Sequence, residues 1–468
     1  MKFLLVAPPK KGLAGHEESI PIGLGYLATT LRKLGHEPDL KDCLIRDWDN
    51  EALLSYIRRS KPDIVGITVY SQALRNVREI LEMVKKENPG IITIVGGPHP
   101  TGVPEHALRF LECADFGING EGEIPLQHLM PILEKGEGRY EDVPGLIWRE
   151  KGHIRWNQKV EYDNLDELGF PAWDLIDPPS YFDSPDFKGK VTIIHTTRGC
   201  PYGCAFCVKL GRKLRYHSIE KIYEQIRLLH ERYGVIRFLI GDEGFPINPK
   251  FLKDFCRYVI AQGDNFSYMA ACGLRLNAID DEMCELLKQA NFSRMVGIGI
   301  EAGSERVRKL MNKNLPTEVI FRGVEILNRH GFKPAANFII GFPGETREEV
   351  EETIRLARKL KIWAACFAPF IPLPGSVATN KLIADGEIPA DFDYSLIDLD
   401  CVLYAPKGMT KKEVDDLRKK AVFLFNIQPR MLWYHMTGGR LKWSIIKVFR
   451  IFFPMWLVPR PWRKYIAQ

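Results

Sequence analysis

The sequence predicts an α/β protein with two βα series, a connector between them and a helical tail. Short apolar runs alternate with helical patterns over residues 1 to about 135, and the same alternation returns over residues 190 to about 375. Strands that alternate with helices favour a parallel sheet covered on both faces. The predicted domains are therefore 1–140, a connector with a hairpin over 141–189, a second βα unit over 190–376 and a helical region over 377–468.

Composition and charge exclude several classes of protein. The 468 residues are 45% hydrophobic and 26% charged, which is ordinary for a water-soluble globular chain. The net charge of +6 is too small to indicate nucleic acid binding, so no nucleic acid partner is expected. Of the ten cysteines, three form one group and the other seven are scattered singly, which favours a reducing compartment and a cytoplasmic location. No run of 18 apolar residues occurs, so no membrane span is predicted.

The first unit alternates predicted strands with predicted helices. The strands are short apolar runs at Phe3–Ala7, Pro38–Asp42, Ile64–Val69, Ile91–Val95 and Ala114–Ile118. The helices carry apolar residues at helical spacing, at Leu24–Leu34, Glu51–Arg59, Leu74–Lys86, Pro104–Leu111 and Leu126–Leu133. This order predicts a Rossmann-like, doubly wound domain.

Glycine-rich and polar loops follow the predicted strands of the first unit. In doubly wound sheets, ligands bind beyond the carboxyl ends of the strands, and glycine there lets the backbone approach a ligand closely. The candidate binding residues in these loops are Thr68, Ser71, Gly96, Gly97, Pro98, His99, Gly120, Glu121, Gly122 and Glu123.

The connector and the second unit have equally clear patterns. Leu146–Trp156 alternates around Lys151 and Gly152, which predicts a hairpin. Strands are predicted at 191–194, Val235–Ile240, Tyr268–Ala271, Met295–Ile300, Ala335–Ile340 and Ala364–Pro369, with helix caps at Ser218, Asp280, Thr317 and Thr346. These six βα repeats are too few for an eight-stranded barrel, which takes ~250 residues.

Three cysteines follow the first strand of the second unit, at the spacing C-x3-C-x2-C: Cys200, Cys204 and Cys207. A short loop can turn three thiolates towards one iron–sulfur cluster. Such clusters are normally held by four thiolates, so three leave one iron open to another ligand. The alternatives are a zinc site, which usually has four ligands and often two C-x2-C pairs, or three unrelated buried cysteines. No second C-x2-C pair occurs in the sequence.

Residues 195–207, His-Thr-Thr-Arg-Gly-Cys-Pro-Tyr-Gly-Cys-Ala-Phe-Cys, resemble the cluster loop of the radical S-adenosylmethionine (SAM) superfamily. The resemblance implies a partial (β/α)6 barrel, a 4Fe-4S cluster bound by the three cysteines, and SAM bound to the open iron. In that superfamily the reduced cluster cleaves SAM to methionine and a 5′-deoxyadenosyl radical, which removes a hydrogen atom from the substrate. It also implies an electron donor such as a flavodoxin or ferredoxin.

Further residues of the second unit resemble SAM contacts of that superfamily. Asp242 or Glu243, at a strand end, would hold the amino group of SAM, with an ordinary turn as the alternative. Arg275 would meet the SAM carboxylate, with a surface arginine as the alternative. Glu301 would bind the ribose hydroxyls or orient a neighbouring residue, and Phe206 would shield the cluster or stack near adenine.

The first unit resembles the cobalamin-binding domain of one large group of radical SAM enzymes, which includes hopanoid methylases and the anaerobic cyclase of chlorophyll synthesis. The resemblance lies in Pro21–Ala28, Gly96–Thr101 and Gly120–Glu123, and it implies that the loop residues named above bind cobalamin. The Asp-x-His-x-x-Gly motif, whose histidine ligates cobalt in the familiar cases, is absent. The lower face of cobalamin is then open to water or covered by another side chain. His99 is either a ligand or a packed loop residue, and a domain that has lost cobalamin is a further alternative.

Together these features predict an enzyme that methylates an unactivated carbon of a small-molecule or lipid substrate, using a 4Fe-4S cluster, SAM and cobalamin. The alternatives are a non-methylating radical cyclase, a carbon–carbon coupling or rearrangement enzyme, and a non-catalytic cofactor-binding sensor. The basic and aromatic stretch 441–465 predicts either a helix lying at the inner face of the membrane or a terminal helix docked on the barrel.

Overall fold

A computed structural model describes residues 1–9, 20–183, 189–209, 211–398 and 401–437. Within these residues, seven strands form one sheet in the order β2-β1-β3-β4-β5-β6-β7, and β1 to β5 are parallel. The strands are β1 (Lys2–Ala7), β2 (Glu37–Asp42), β3 (Ile64–Thr68), β4 (Ile92–Gly96), β5 (Phe116–Ile118), β6 (Leu146–Glu150) and β7 (His153–Trp156).

Helices cover both faces of this sheet. They are α1 (Ile22–Lys33), α2 (Asn50–Ser60), α3 (Leu74–Glu87), α4 (Pro98–Gly102), α5 (Pro104–Phe110) and α6 (Glu123–Lys135). Alternate residues of β1 serve the two faces: Phe3 and Leu5 pack in the core beside α1 and α6, whereas Leu4 and Val6 pack beside α2 and α3. The predicted doubly wound domain is confirmed.

The predicted hairpin at Lys151 and Gly152 is formed by β6 and β7. Both turn residues have positive φ, as a two-residue hairpin turn requires. The hairpin pairs antiparallel with β5, so part of the connector continues the first sheet. A short helix, α7 (Trp173–Ile176), then leads towards the second unit.

The second unit is an open barrel. Its described parallel strands stand in sequence order, with β12 and β13 joined by isolated bridges instead of a continuous ladder. They are β8 (Val191–Ile194), β11 (Arg237–Ile240), β12 (Ser267–Ala270), β13 (Met295–Glu301), β14 (Lys333–Ile340) and β15 (Ala364–Pro369). A small antiparallel hairpin, β9 (Thr197–Arg198) with β10 (Arg215–Tyr216), follows β8. The helices are α8 (Ile219–Tyr233), α9 (Pro249–Gln262), α10 (Asp281–Gln289), α11 (Glu305–Leu310), α12 (Thr317–Arg329) and α13 (Arg347–Lys359).

Most predicted helix caps are confirmed. Ser218 and Asp280 accept backbone N–H groups at the starts of α8 and α10, and Thr346 forms a capping box with Glu349. The prediction for Thr317 was wrong, because the cap position is Pro316 and the Thr317 hydroxyl accepts a hydrogen bond from Arg308.

The C-terminal part wraps back over both units. It contains α14 (Val377–Ala384), α15 (Lys411–Asn426) and α16 (Pro429–Thr437). Tyr394 and Ile397 pack into the core of the first unit, so this part fixes the two units against each other. No helix in the described ranges is long and apolar enough to cross a membrane. The stretch 441–465, predicted to be interfacial or docked, lies outside the described residues.

Candidate functional site

The three cysteines lie in the connection between β9 and β10. Gly199 enters this connection with a φ of +84°, and a Cβ there would lie 2.2 Å from the Lys213 carbonyl oxygen, so the turn requires glycine. Cys200 is buried, Cys204 is half-buried and Cys207 is exposed. The cysteine loop is therefore a hairpin loop at the mouth of the barrel.

Neighbouring segments hold this loop through its backbone. The Ala205 N–H donates to the Met311 carbonyl at 2.9 Å, and the Asn312 side chain donates to the Gly203 carbonyl at 2.9 Å. On the other side, the Ala378 N–H donates to the Ala205 carbonyl at 2.8 Å. The positions of the thiols are thus set by residues more than 100 positions away in sequence.

The three thiols of the cysteine loop are candidate ligands for a metal ion or a cluster. Within the described residues, no three His, Cys, Asp or Glu side chains converge on one metal-sized point. A zinc site needs its ligands around one ion, whereas each thiolate of an iron–sulfur cluster binds its own iron. Although Cys207 is exposed, the protein around its sulfur partly desolvates it and raises its pKa to about 11, and the charge of Lys209 acts in the opposite direction.

A cavity of about 670 Å³ separates the barrel mouth from the loops at the carboxyl ends of β3, β4 and β5. The walls on the side of the first unit are mostly aliphatic and glycine. The predicted binding residues that line the cavity are Thr68, Gly96, Gly97, Pro98, Gly120, Glu121, Gly122, Glu123 and Glu243. The size is in the range of cofactor and ligand pockets.

Ser71 and His99, also predicted to bind the cofactor, do not line the cavity. His99 is buried; its Nδ1 lies 2.9 Å from the Ser71 hydroxyl and its Nε2 lies 3.1 Å from His106 Nδ1. Burial lowers the pKa of His99 to about 3, so the ring is neutral at physiological pH. Both ring nitrogens therefore have protein partners, and the packed-residue alternative describes the geometry.

Asp242 and Glu243 have different environments. Asp242 is fully buried, where its carboxylate accepts the N–H groups of Thr196 and Thr197 at 2.7 and 3.1 Å and also the Thr196 hydroxyl. Glu243 lines the cavity and has no hydrogen-bond partner among the described residues. Glu243 is exposed towards the cavity, yet the surrounding protein partly desolvates its carboxyl group and raises its pKa to about 7, and the charge of Lys209 opposes this shift. Glu243, not Asp242, is the carboxyl group available to a ligand.

Arg275, Glu301 and Phe206 lie around the barrel mouth but not on this cavity. The Arg275 guanidinium stacks 3.5 Å from the centre of the Tyr202 ring in the cysteine loop, and its buried Nε has no partner among the described residues. Glu301 has a φ of +71° and pairs with Lys313 at 2.8 Å. Phe206 packs against a small apolar cluster that contains Ala302 and Val307.

Two acidic residues of the Gly120–Glu123 loop pair with arginines from the hairpin that carries the cysteines. Arg215 donates to both carboxylate oxygens of Glu121, at 2.6 and 2.9 Å, and Arg198 pairs with Glu123 at 2.9 Å. The pairs are largely buried, with Arg215 only 2% and Glu123 only 4% exposed. Glu121 and Glu123 thus line the cavity with their charges already neutralised.

The sequence reasoning did not single out His195, which follows β8 and lines the cavity. The ring has no hydrogen-bond partner among the described residues, and burial lowers its pKa to about 4. Gly241 lies beside the ring, and the contact that requires glycine there is with Ile193, whose Cδ1 would lie 2.5 Å from a Cβ at Gly241. A polar residue directly after a barrel strand was the sequence signal that could have identified it.

A cysteine loop at a barrel mouth, facing glycine loops of a doubly wound domain across one cavity, defines an enzyme with two cofactor-binding units. The radical SAM superfamily profile matches residues 194–357 and the B12 binding domain profile matches residues 15–130. The uncharacterized methyltransferase PH0819 of Pyrococcus horikoshii is 30% identical over 465 residues, covering 97% of this chain and 99% of that one. The chain belongs to the cobalamin-dependent radical SAM methyltransferase family.

Other relatives widen the comparison. The anaerobic magnesium-protoporphyrin IX monomethyl ester cyclase of Rubrivivax gelatinosus is 27% identical, covering 90% of this chain and 76% of that one. Among solved structures, the radical SAM methyltransferase TsrM of Kitasatospora setae superposes with a TM-score of 0.74 at 17% identity, covering 92% of this chain and 91% of that one. This superposition confirms the fold.

The family carries a 4Fe-4S cluster, SAM and cobalamin, and this chain has groups of the right chemistry for each. Three cysteines in a pinned loop supply thiolates. A free carboxyl group and an arginine with an unpartnered Nε lie near them. Glycine backbone lines a cavity large enough for a bulky organic cofactor.

Proposed function

We propose that this enzyme methylates an unactivated carbon atom of a small, mostly apolar substrate. The observation that supports this proposal is the single cavity bounded by the barrel mouth on one side and the glycine loops of the first unit on the other. A methyl donor held by the first unit and a radical source held by the barrel would then act on the same substrate. When bound, SAM on the reduced cluster supplies a hydrogen-abstracting radical, and methylcobalamin supplies the methyl group.

In this proposal Cys200, Cys204 and Cys207 hold the cluster. The pinned backbone keeps the loop in place before the cluster forms, because its hydrogen bonds to Met311 and Asn312 do not involve the thiols. Such a preformed loop loses less conformational entropy on binding than a free one.

Three side chains are proposed to bind SAM. Glu243 would take the amino group, because its carboxyl lacks a protein partner and a carboxylate pairs well with an ammonium in a dry site. Arg275 would take the carboxylate through its free Nε edge. Glu301, oriented by Lys313, would accept from the ribose hydroxyls. Asp242 is instead proposed to hold the end of β11 against Thr196.

Cobalamin is proposed to lie against the loops containing Thr68, Gly96, Gly97, Pro98 and Gly120–Glu123. These residues present backbone groups, which suits close contact with a large ring. The aliphatic side chains of the wall, including Ile67 and Ile118, would exclude water once the cofactors and the substrate fill the cavity. Exclusion of water protects a reactive intermediate from side reactions.

A second candidate function is a radical cyclisation or rearrangement without methyl transfer. The similarity to the Rubrivivax gelatinosus cyclase, over 90% of this chain, favours it. The same residues would bind the same cofactors. The two functions are distinguished by product mass, since only methylation adds a carbon atom to the substrate.

Enzymes of this family take a small-molecule substrate and electrons from a reductant. We propose a flavodoxin or ferredoxin as the donor and, from the aliphatic cavity walls, a lipid-like substrate. We further propose that the basic and aromatic stretch 441–465 contacts the membrane surface. Flotation of the full chain with anionic vesicles, compared with a chain ending at residue 437, tests that contact; equal flotation would contradict it.

The decisive experiment is anaerobic reconstitution with iron, sulfide and cobalamin. We expect a bound cluster, bound cobalamin and release of 5′-deoxyadenosine from SAM under dithionite. Cys204→Ala should lose the cluster and deoxyadenosine but keep cobalamin, whereas the matched control Cys113→Ala should keep all three. Deoxyadenosine without bound cobalamin would eliminate the methyltransferase, and wild type without a cluster would eliminate the proposal entirely.

A further inference from the structure

The cysteine loop is joined to the first unit through the strands that carry it. In the β9–β10 hairpin, Arg198 and Arg215 occupy opposite positions on the two antiparallel strands. The cysteines lie between these two arginines in sequence, with Arg198 two residues before Cys200. Whatever fixes the two arginines therefore fixes both ends of the cysteine loop.

Both arginines pair with one loop of the first unit, and Arg215 also donates to the Tyr162 carbonyl of the connector at 2.8 Å. Arg215 holds Glu121 through two parallel hydrogen bonds of 2.6 and 2.9 Å, and Arg198 reaches Glu123 at 2.9 Å and Glu121 at 3.7 Å. Arg198 also lies 4.5 Å from the centre of the Tyr26 ring in α1. The forked guanidinium geometry fixes orientation as well as distance, which a single point charge does not do.

The pairs are buried, and this strengthens the restraint. Side-chain exposure is 2% for Arg215, 9% for Glu121, 4% for Glu123 and 15% for Arg198. A buried pair is little screened by salt or water, and removal of one partner leaves an uncompensated buried charge. Separation of the hairpin from the Gly120–Glu123 loop is therefore strongly opposed.

We propose that Arg198, Arg215, Glu121 and Glu123 form an interdomain clamp that sets the separation between the cluster and cobalamin. The inference rests on the proposed function, because it takes the cysteine loop as the cluster site and the Gly120–Glu123 loop as part of the cobalamin site. The four side chains are positioning residues: they hold two loops in register and touch no reacting atom. Displacement of about 1 Å between reacting groups can cost about 10²-fold in rate.

The test measures the distance between the cofactors directly and needs no substrate. Enzyme loaded with both cofactors is poised to contain cob(II)alamin and the reduced cluster, which are both paramagnetic. Their magnetic interaction, seen as broadening or splitting of the cob(II)alamin EPR signal, weakens as the cofactors move apart. The variants are Arg215→Lys, which keeps the charge but loses the forked guanidinium, and Glu121→Gln.

We expect Arg215→Lys, at a residue that does not line the cavity, to retain wild-type iron and cobalamin contents but to show a weakened or heterogeneous magnetic interaction. Glu121→Gln should weaken the magnetic interaction in the same way. The control Arg78→Met breaks an exposed pair with Glu82 on α3, with side chains 44% and 52% exposed, and should leave the signal unchanged.

An unchanged interaction in Arg215→Lys and Glu121→Gln, at full cofactor content, would overturn the clamp while leaving the proposed function intact. Absence of either cofactor from the wild type would overturn the proposed function, and the clamp with it. Loss of one cofactor in a variant, with unchanged thermal stability, would assign these residues to cofactor binding and also overturn the clamp.

Discussion

Replacement of Arg308 by methionine should loosen the cysteine loop from a distance. Arg308 is only 1% exposed and does not touch the cavity or the cysteines. Its guanidinium donates to the carbonyls of Leu315 at 2.7 Å, Ala302 at 2.7 Å and Gly303 at 2.9 Å, and to the Thr317 hydroxyl at 2.6 Å. These bonds enclose the turn that follows α11.

That turn is the segment whose Met311 carbonyl and Asn312 side chain hold the cysteine loop. Methionine has a similar length but donates no hydrogen bond, so the buried acceptors lose their partner. Each buried acceptor left unpaired costs about 1 to 3 kcal/mol, so the variant should be destabilised by about 3 kcal/mol or more. Arg308→Lys keeps the charge and should lose less.

Two assays test this expectation. Urea unfolding should show a lower midpoint for Arg308→Met, with Arg308→Lys between it and wild type. Transfer of iron to a chelator, measured below the unfolding transition, should be faster in Arg308→Met because the cysteine loop opens more often. Arg78→Met, at an exposed arginine, should match wild type in both assays. A lower urea midpoint with an unchanged rate of iron loss would refute the link between this turn and the cysteine loop.

Three further predictions use other parts of the molecule. Gly375→Ala should lower the free energy of unfolding by about 1 to 3 kcal/mol more than Gly386→Ala does, as measured by urea unfolding. Both glycines have positive φ, but only a Cβ at Gly375 would meet backbone, 2.2 Å from a carbonyl oxygen of α4. Equal effects of the two substitutions would contradict this prediction. Hydrogen bonding by Arg306 lowers the pKa of Glu349 from 4.5 to about 2, so its stabilising effect is complete above pH 4.5 and is lost as the pH falls towards 2. The thermal-stability difference between wild type and Glu349→Gln should therefore shrink over that range, and a constant difference would contradict the assignment. His195→Phe should raise the unfolding temperature of the cofactor-free protein, because it removes a desolvated imidazole without a protein partner; a lower temperature would mean that the ring is structural.

The fold was predictable because local sequence patterns determine its strands and helices. Apolar runs of strand length and helices with apolar spacing of three and four define β1 to β5 and the barrel strands, whose observed bounds differ from the predicted ones by at most a few residues. Helix α4 was not predicted, since Gly-Pro reads as a loop, but proline at the first helical position also begins helices. The Thr317 cap failed for a different reason: Arg308, nine residues earlier, competes for its hydroxyl. Local rules do not account for such tertiary partners.

The same limit explains which site residues the sequence could identify. The thiol spacing of the cysteine loop is local, so a pattern finds it. The roles of Asp242 and Glu243 are not local: adjacent in sequence, one is buried against Thr196 and the other faces the cavity. For Glu121 the deciding partner is Arg215, which lies 94 positions away and on the other unit. A carboxylate in a glycine loop predicts a ligand contact when it is considered alone. Because a buried arginine binds both of its oxygens, the same carboxylate is better explained as a contact that holds the two cofactor-binding units together. Its replacement should therefore change the distance between the units more than it changes their cofactor content.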